Sequence, residues 1–414
     1  MPTDSLDVLI VGTGHGGAQT AIMLRQLQFS GSIGLLGEEN ELPYERPPLS
    51  KEYLSGEKSF ERLLIRPSSF WTEKQIAVLL GRKVRAVDPA AHRVVLADGT
   101  RLQYERLVWA AGGTARRLSC AGSELVGVHT VRTRADVDRM LSELPAARRV
   151  VVVGGGYIGL EAAAALRKLG KSVVLLEALD RVLGRVAGVP VSHFYEAEHR
   201  AHGVDVRLGV DVRCIEGSNG KAIGVRLAAG ELIAAEIVVV GIGIVPAIRP
   251  LVEAGAIADN GVNVDKFCQT NLPDVYAIGD CASQVNSFAG GARVRLESVQ
   301  NAMDQARCVA HTLTGDPQPY HAVPWFWSNQ FDLRLQTVGL SIGYDDIVVR
   351  GNPATRSFSV IYLRTGTIIA LDCVNATRDY AQARKLVEIG ASPSREALAD
   401  TTRPLKDLID ALRN

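Results

Sequence analysis

The sequence predicts an α/β protein with two Rossmann-type βαβ units, each of the kind that binds a dinucleotide, and a smaller C-terminal α+β domain. Two observations predict the units: an apolar strand, a glycine-rich turn and a helix occupy residues 8–27, and the same pattern returns at residues 150–169. A third observation is the change near residue 323, after which aromatic residues cluster and alternating strands follow. A chain of 414 residues exceeds one ordinary core, so two or three domains are expected.

The first βαβ unit has each element of the motif in order. An apolar strand at residues 8–11 runs into a glycine turn at residues 12–17 and then a helix, and a second strand at residues 33–36 ends beside Glu38. One face of the helix carries Ala21, Leu24 and Leu27. The turn is therefore expected to sit between a buried strand and a helix that packs on the sheet.

The glycine spacing of this turn suits a bound pyrophosphate. Gly12 permits the tight turn, Gly14 lets phosphate approach the backbone, and Gly17 lets helix and strand pack closely. The helix start offers free N–H groups and the positive end of the helix dipole. Glu38 lies where a carboxylate accepts hydrogen bonds from a ribose, so the unit is interpreted as a dinucleotide site rather than a structural glycine turn.

The second unit is equally complete. A strand at residues 150–153 precedes the turn at residues 154–159, Gly170 ends the helix, and a strand at residues 173–176 leads to Glu177. The helical spacing i, i+3, i+4, i+7 is carried by Ala162, Ala165, Leu166 and Leu169. The one internal repeat found is thus a whole dinucleotide-binding unit.

Glu177 bears on the choice of nicotinamide cofactor. An acid at this strand end accepts from ribose hydroxyls and disfavours a 2′-phosphate, which predicts NADH over NADPH. Arg181 and Arg185 follow closely. These arginines are either ordinary solvated charges or partners for a phosphate, so the degree of preference stays open.

Shorter elements connect and follow the two units. A hairpin turn of sequence Ala-Asp-Gly-Thr is predicted at residues 97–100, and two helical segments are predicted to close the chain. The further predicted strands lie at residues 93–96, 101–102, 107–111, 237–240, 357–363 and 368–372.

Composition excludes few functions. Lysine plus arginine number 46 against 45 acids, so net charge gives no indication of nucleic-acid or membrane binding, and any charged docking face must be local. We expect a cytoplasmic protein, because the start MPTDSLDVLIVG lacks the features of a signal peptide and no apolar stretch is long enough to span a bilayer.

The six cysteines carry no recognisable redox or metal motif. No two are three positions apart and none clusters with histidine, which excludes a CxxC pair and gives no zinc or iron–sulfur spacing. They are interpreted as ordinary thiols, and no metal site is expected. The six are Cys120, Cys214, Cys268, Cys281, Cys308 and Cys373.

A late segment indicates the cofactor class. The sequence NLPDVYAIGD at residues 271–280 places Gly279 and Asp280 after a small strand. With the two glycine turns, this segment resembles the two-dinucleotide flavoprotein reductases of the glutathione-reductase fold, in which the late aspartate binds the FAD ribityl chain. The strand ending at Ala111 and Gly112 resembles the ATG turn of that fold, with alanine in place of threonine.

Further segments are similar to the FAD-dependent NADH:ferredoxin reductases of bacterial oxygenase systems, the putidaredoxin-reductase and biphenyl-dioxygenase-reductase type. The likeness runs from residue 8 into the C-terminal domain. It includes ERPPLSK at residues 45–51, GGGYIGLE at 154–161, GIGIVP at 241–246, ESVQNA at 297–302 and PWFWS at 324–328. Rubredoxin reductases and apoptosis-inducing-factor-like proteins are more distant relatives in the same comparison.

The resemblance implies roles for individual residues. Lys51 and Glu161 match an ion pair near flavin N5 and are the candidate catalytic residues, although a surface lysine and a helix-capping acid remain the alternatives. Positions for FAD are Gly12, Gly14, His15, Gly16, Gly17, Glu38, Arg46, Lys51, Val84, Ala111, Gly112, Arg132, Gly279, Asp280, Glu297, Val299 and Trp327. Positions for the nicotinamide cofactor are Gly154, Gly156, Ile158, Gly159, Glu177, Arg185 and Gly243. Trp327 could equally be a core residue.

The resemblance also implies the domain bounds and the route of the electrons. It assigns residues 1–115 and 242–322 to an FAD domain, 116–241 to an NAD domain and 323–414 to the C-terminal domain. Disulfide reductases of this fold carry a redox cysteine pair where this chain has RPPLSK. We therefore expect electrons to pass from NADH through FAD to a separate two-iron ferredoxin, which serves a haem monooxygenase or a ring-hydroxylating dioxygenase.

Alternative functions and the docking face stay open at this level. A rubredoxin reductase, an NADH oxidase and an apoptosis-inducing-factor-like NADH sensor are the competing interpretations. Two-iron ferredoxins are generally acidic, so basic residues near the ESVQNA segment are candidates for docking, with ordinary solvated charge as the alternative. These candidates are Arg293, Arg295 and Arg307. The sequence identifies neither the ferredoxin, the oxygenase nor the oligomeric state.

Overall fold

A computed structural model describes residues 5–411, and side chains up to residue 409. Part of the start on which the expectation of no signal peptide rests lies outside the described residues. The strands are β1 (Ser5–Val11), β2 (Ile33–Leu36), β3 (Ile76–Leu79), β4 (Val84–Asp88), β5 (Arg93–Leu96), β6 (Arg101–Trp109), β7 (Gly113–Ala115), β8 (Val128–Thr130), β9 (Arg149–Val153), β10 (Ser172–Leu176), β11 (Val204–Arg207), β12 (Val212–Ser218), β13 (Lys221–Leu227), β14 (Leu232–Ala234), β15 (Ile237–Val240), β16 (Ile244–Pro246), β17 (Ala258–Asp259), β18 (Gly261–Val264), β19 (Val275–Ala277), β20 (Ala282–Val285), β21 (Arg293–Val294), β22 (Trp325–Gln330), β23 (Leu333–Gly339), β24 (Asp346–Asn352), β25 (Ser357–Arg364) and β26 (Thr367–Val374). The α-helices are α1 (His15–Gln26), α2 (Ser68–Glu73), α3 (Arg134–Glu143), α4 (Tyr157–Lys168), α5 (Val189–Ala201), α6 (Arg249–Glu253), α7 (Val299–Leu313), α8 (Thr377–Glu388), α9 (Arg395–Ala399) and α10 (Leu405–Ala411).

The chain divides into two compact units. The first unit comprises the chain up to Glu45, Phe60–Thr114 and Val245–Pro324. The second comprises Arg46–Ser59, Ala115–Ile244 and the chain from Trp325 onward. The segment Arg46–Ser59 thus belongs to the second unit, although it lies between two parts of the first. The three-domain division expected from the sequence stays a prediction.

The first unit is built on a sheet that is buried on both faces. Strand β1 pairs in parallel with β2 and with β6, and β19 pairs in parallel with β6. Side chains of β1 alternate between two hydrophobic clusters, with Leu9 and Val11 in one cluster and Val8 and Ile10 in the other. Burial on both faces explains why the strand is a continuous apolar run in the sequence. A second, four-stranded sheet has the order β17-β18-β20-β21.

The second unit has a parallel sheet of order β11-β10-β9-β15-β8, a small antiparallel sheet β12-β13-β14 and a C-terminal antiparallel sheet β22-β23-β26-β25-β24. The cluster of buried residues beside the parallel sheet includes Val151, Val153 and Val238. Of these strands, β9 and β10 belong to the repeat that the sequence predicted, and the C-terminal sheet with α8 to α10 forms the predicted α+β region.

Four details of the elements differ from the sequence-based expectation. Residues 101–102 and 107–111 were predicted as separate strands, but a single strand, β6, runs from Arg101 to Trp109, because alternating residues at 101–105 lead into a buried run. Three helices follow β26 in the described chain, rather than two. Leu27 and Leu169 lie just past the ends of their helices, and Leu169 is 38% exposed.

Candidate functional site

The turn at the end of β1 has the geometry expected for pyrophosphate binding. Gly12 has a φ of +116°, and a Cβ there would collide with the carbonyl oxygen of Ala110. A Cβ on Gly17 would collide with the carbonyl oxygen of Gly12, so α1 packs directly on the turn. Helix α1 begins at His15 without a side-chain cap and without an acid in its first turn. The first N–H groups of α1 are therefore suited to an anion, and the residues fit a bound dinucleotide.

The turn at the end of β9 repeats this geometry in the second unit. Gly154 has a φ of +108°, and a Cβ on Gly159 would collide with the carbonyl oxygen of Gly154. Helix α4 also begins without a side-chain cap and without an acid in its first turn. Apart from its neighbours along the chain, no atom of residues 5–411 lies within 4 Å of where a Cβ on Gly156 would be, so the space at the second glycine is open. The residues of this turn likewise fit a dinucleotide.

Two late segments of the first unit surround the first glycine turn. The backbone N–H of Ile278 donates to the carbonyl oxygen of Trp109 at 3.0 Å, which fixes the late segment beside β6. Gly279, with a φ of +74°, donates its N–H to Oε1 of Gln305 at 2.6 Å. A Cβ on Gly16 would lie 3.3 Å from Ile278 Cδ1. The predicted Gly-Asp segment, the glycine turn and α7 are therefore neighbours.

The two strand-end acids differ in what holds them. Glu38 is 63% exposed and forms an ion pair with Lys83 at 2.7 Å. Glu177 is fixed against its own glycine turn, because its Oε2 accepts from the Gly155 N–H at 2.6 Å and its Oε1 accepts from the Leu179 N–H at 2.9 Å. Glu177 therefore has a defined orientation beside the second turn.

Arg181 and Arg185 have different surroundings. The Arg181 guanidinium donates to the carbonyl oxygens of Ala187 at 2.7 Å and Gly184 at 2.8 Å, and to the Ser192 hydroxyl at 2.6 Å. These bonds commit Arg181 to its own loop. Arg185 is exposed. Of the two, Arg185 is the side chain that remains available to a ligand.

Glu161 is a buried acid of the second unit that accepts hydrogen bonds from three side chains. It is 2% exposed, and its Oε2 accepts from Lys51 Nζ at 2.8 Å and from the Ser50 hydroxyl at 2.5 Å. Its Oε1 accepts from the Ser328 hydroxyl at 2.6 Å. Glu161 is the fifth residue of α4, so the alternative that it merely caps the helix is wrong. The alternative of a surface lysine is wrong too, because Lys51 is 11% exposed.

The remaining FAD candidates are distributed over both units. In the second unit, Arg46 donates to the carbonyl oxygen of Arg132 at 2.8 Å. In the first unit, Val84 is 7% exposed and belongs to the hydrophobic core, and Val299 is the first residue of α7. Trp327 lies on β22 of the second unit, and its ring centroid is 5.6 Å from that of Trp325.

Further candidates are turn residues and an acid. Gly243 has a φ of +96° and accepts from the Arg116 N–H at 2.9 Å. Gly112 accepts from the Ala247 N–H at 2.9 Å. Glu297 forms an ion pair with Arg295 at 2.7 Å. The roles assigned to all these positions stay predictions.

The three arginines considered for docking are not equivalent. Arg295 has a side chain only 9% exposed, and besides its ion pair it donates to the carbonyl oxygen of Asp280 at 2.9 Å. Arg295 is therefore not available to a partner, which corrects that part of the prediction. Arg293 is exposed but donates to the carbonyl oxygen of Ser283 at 2.6 Å. Arg307 is 51% exposed and pairs with Asp304 on its own helix, at 2.8 Å.

Three further features concern the cysteines, metal ligands and helices of the described chain. All six cysteines are free thiols, and four of them are buried. In residues 5–411 no three His, Cys, Asp or Glu side chains form a group that could hold a metal ion. Over the same range, every helix is too short or too polar to cross a bilayer.

Sequence reasoning missed the hydroxyl donors to Glu161. Ser50 and Ser328 lie inside the quoted RPPLSK and PWFWS segments, but neither was singled out. A signal was present at Ser328, because a small polar residue follows a cluster of three aromatic residues. Gln305, which accepts from Gly279, gave no comparable signal.

Two glycine turns with these strand-end acids define an oxidoreductase with two dinucleotide sites, and comparison with known proteins identifies its kind. The model for pyridine nucleotide-disulphide oxidoreductases matches residues 6–306, and the reductase C-terminal model matches residues 325–409. A 5,5'-dehydrodivanillate O-demethylase ferredoxin reductase subunit of Sphingobium sp. (strain NBRC 103272 / SYK-6) is 60% identical, with 98% of each chain covered. A ferredoxin–NAD(P)+ reductase of Sphingomonas sp. is 59% identical over 97% of each chain.

A solved structure gives the same result. The covalent putidaredoxin reductase–putidaredoxin complex matches with a TM-score of 0.95 and 39% identity, covering 99% of each chain. The chain belongs to the pyridine nucleotide-disulphide oxidoreductase family and, within it, to the ferredoxin reductases of oxygenase systems. The predicted fold class, enzyme class and use of FAD and a nicotinamide dinucleotide are thereby confirmed.

Proposed function

We propose that this chain takes electrons from NADH and passes them, through bound FAD, to a separate two-iron ferredoxin. That ferredoxin would serve a haem monooxygenase or a ring-hydroxylating dioxygenase. Bound FAD would supply the chemistry that links a two-electron donor to a one-electron acceptor, and the protein supplies position and electrostatic field. The relatives named above act with ferredoxins or belong to an oxygenase system, which supports this choice of acceptor.

The observation that carries the proposal is the buried Lys51–Glu161 ion pair. Where disulfide reductases of this fold have redox cysteines, this chain has RPPLSK, so there is no internal disulfide to receive the electrons. Lys51 instead supplies a cation that Glu161 holds at 2.8 Å. A fixed cation stabilises the negative charge that a flavin ring gains on reduction, without reorganising at the moment of transfer. We assign that role to Lys51 and its orientation to Glu161.

The glycine turns are assigned to the two cofactors in chain order. The turn at residues 12–17 and the Gly279-Asp280 segment hold FAD, and the turn at residues 154–159 with Glu177 holds the nicotinamide dinucleotide. Both helix starts lack a side-chain cap and offer N–H groups to phosphate. The fixed Glu177 carboxylate favours NADH, because it accepts from ribose hydroxyls and repels a 2′-phosphate.

The proposal is tested by mixing the NADH-reduced protein anaerobically with different acceptors. The panel holds putidaredoxin, further two-iron ferredoxins, a rubredoxin and dioxygen. We expect a ferredoxin to be reduced at least tenfold faster than rubredoxin or dioxygen. Equal or faster reduction of rubredoxin, or of dioxygen, would identify a rubredoxin reductase or an NADH oxidase. Slow transfer to every acceptor, with an NADH-dependent change in association state, would favour a redox sensor.

A further inference from the structure

A chain of buried hydrogen bonds leads from Glu161 into the C-terminal sheet. The Ser328 hydroxyl donates to Glu161 Oε1 at 2.6 Å, and Gln330 Nε2 donates to the Ser328 oxygen at 3.1 Å. Beyond it, Gln330 Oε1 lies 2.9 Å from His199 Nε2. All four side chains are at most 2% exposed. A buried polar group costs free energy when it is left without a partner, so these hydrogen bonds constrain how the four side chains are arranged.

The periodicities of strand β22 and helix α4 explain how these hydrogen-bonded side chains meet. Ser328 and Gln330 are two residues apart on β22 and lie on one face of the strand, together with Phe326. The Phe326 ring packs on the Tyr157 ring with 4.5 Å between centroids. Tyr157 and Glu161 are four residues apart on α4 and lie on one face of the helix. The aromatic contact therefore sets the register that brings Ser328 opposite Glu161.

The hydrogen bonds that link these four side chains all donate toward Glu161. Since Ser328 donates its single hydroxyl hydrogen to Glu161, Gln330 must donate to Ser328 through its amide nitrogen. The Gln330 carbonyl oxygen then accepts from His199 Nε2–H. Burial lowers the pKa of His199 to about 4, so its ring is neutral near pH 7 and carries one hydrogen. Nδ1 of His199 has no partner in the described chain, which is consistent with that hydrogen being on Nε2.

We propose that Ser328, Gln330 and His199 are positioning residues that orient the Glu161 carboxylate, and through it Lys51, for the reduction of the bound flavin. The inference rests on the proposed role of Lys51. Each donor points along the chain toward Glu161, which stabilises a carboxylate and fixes the plane in which it holds the lysine. Lys51 itself can rotate about four side-chain bonds, so the rigid end of the pair is the one that sets its place.

The decisive variant is Ser328→Ala, which removes the donor and leaves the strand. With FAD fully loaded, we expect reduction by NADH to slow about tenfold. We also expect the flavin midpoint potential to become more negative by about 30 mV, which corresponds to a tenfold change in the equilibrium constant of a two-electron reduction. Ser328→Thr keeps the hydroxyl and should restore both. Gln330→Met has similar volume without the amide and should shift the flavin potential less, in the same direction. It provides the test if Ser328→Ala does not fold.

Two controls separate this role from general damage. Ser359→Ala removes a fully buried serine of the same sheet whose hydroxyl donates to Asp379 at 3.0 Å, and it should leave rate and potential unchanged. In a Glu161→Gln background, Ser328→Ala should have no further effect on the potential. An equal effect of Ser328→Ala in both backgrounds, or no effect in either, would overturn the inference. If Lys51→Met also leaves the potential unchanged, the proposed role of Lys51 fails as well; if it lowers the potential while Ser328→Ala does not, only this inference fails.

Discussion

The ammonium nitrogen of Lys51 lies 2.8 Å from a carboxylate oxygen of Glu161, although 110 positions separate the two residues along the chain. Burying such a pair costs several kcal/mol per ion in desolvation, and the attraction repays this cost only when further hydrogen bonds satisfy the charges. Two serine hydroxyls supply those bonds to Glu161. The Glu161 carboxylate is therefore satisfied in its buried setting, as the role proposed for the pair in flavin reduction requires.

The first prediction concerns the charge of Lys51. Lys51→Met keeps most of the side-chain volume and removes the cation, so reduction of bound FAD by NADH should slow at least tenfold and the flavin potential should fall. Stopped-flow absorbance measures the rate on fully loaded protein. Lys168→Met is the matched control, because that lysine pairs with Glu57 at 3.0 Å on the surface of the same unit. Unchanged reduction kinetics in Lys51→Met would show that Lys51 takes no part in the reduction of the flavin.

The second prediction concerns nicotinamide choice. Glu177→Gln retains an oxygen that can accept from the Gly155 N–H but removes the charge, so discrimination against NADPH should narrow by on the order of 1–3 kcal/mol in kcat/KM. Glu177→Ala should narrow it as well and also loosen the turn. Steady-state kinetics with both cofactors give the comparison.

The arginines of the same loop supply the control for this prediction. Arg185→Ala should reduce the remaining use of NADPH, because Arg185 is the exposed arginine beside the turn. Arg181→Ala should act mainly on stability, since its guanidinium is bonded within its loop. A native enzyme that already prefers NADPH would contradict the role given to Glu177.

The third prediction concerns the partner surface. Arg307→Glu reverses a charge that is 51% exposed, so transfer to an acidic ferredoxin should slow several-fold at low salt, while transfer to ferricyanide is retained. Arg249→Glu is the matched control, because Arg249 is an exposed helical arginine of the same unit that also pairs within its helix. Loss of both activities would indicate damage to the flavin site, and loss of neither would place docking elsewhere.

The fourth prediction concerns pH and stability. Complete burial raises the pKa of Asp372 from 3.8 to about 7, and the Tyr362 hydroxyl donates to its carboxylate at 2.5 Å. The folded state therefore binds this proton more tightly than the unfolded chain. The associated stability is fully present below about pH 4 and is lost as pH rises through about 7.

The variant Asp372→Asn cannot ionise and keeps an oxygen for Tyr362. As pH rises from 5 to 8, its free energy of unfolding should increase relative to that of the parent protein by on the order of 2 kcal/mol. Thermal unfolding at both pH values measures the difference. A difference in melting temperature that stays constant with pH would show that Asp372 is ionised throughout.

The parts of the fold that were predictable are those with a strong local pattern. The strands at residues 33–36 and 237–240 were predicted with the bounds that the structure gives, because they are continuous apolar runs beside glycine turns. The division of β6 into two strands was wrong because its solvent-facing half alternates and its buried half does not. Bounds thus failed where one element changes its environment along its length.

Prediction of the site failed where contacts are long-range. The glycine turns and their acids lie close together in sequence, so spacing alone predicted them. The link between Glu161 and Ser328 joins residues 167 positions apart and depends on how β22 packs against α4, which no local pattern encodes. The burial of Arg295 likewise depends on its bonds to Glu297 and Asp280, whereas sequence shows only a charge.

A single chain binds FAD and a nicotinamide dinucleotide and transfers reducing equivalents between them. An anaerobic titration of the purified protein with NADH tests it most directly, followed by acid release and identification of the flavin. We expect a yellow protein that releases one FAD per chain and is bleached by about one equivalent of NADH. A correctly folded protein that stays colourless with added FAD, or a bound flavin that NADH does not bleach, would contradict it.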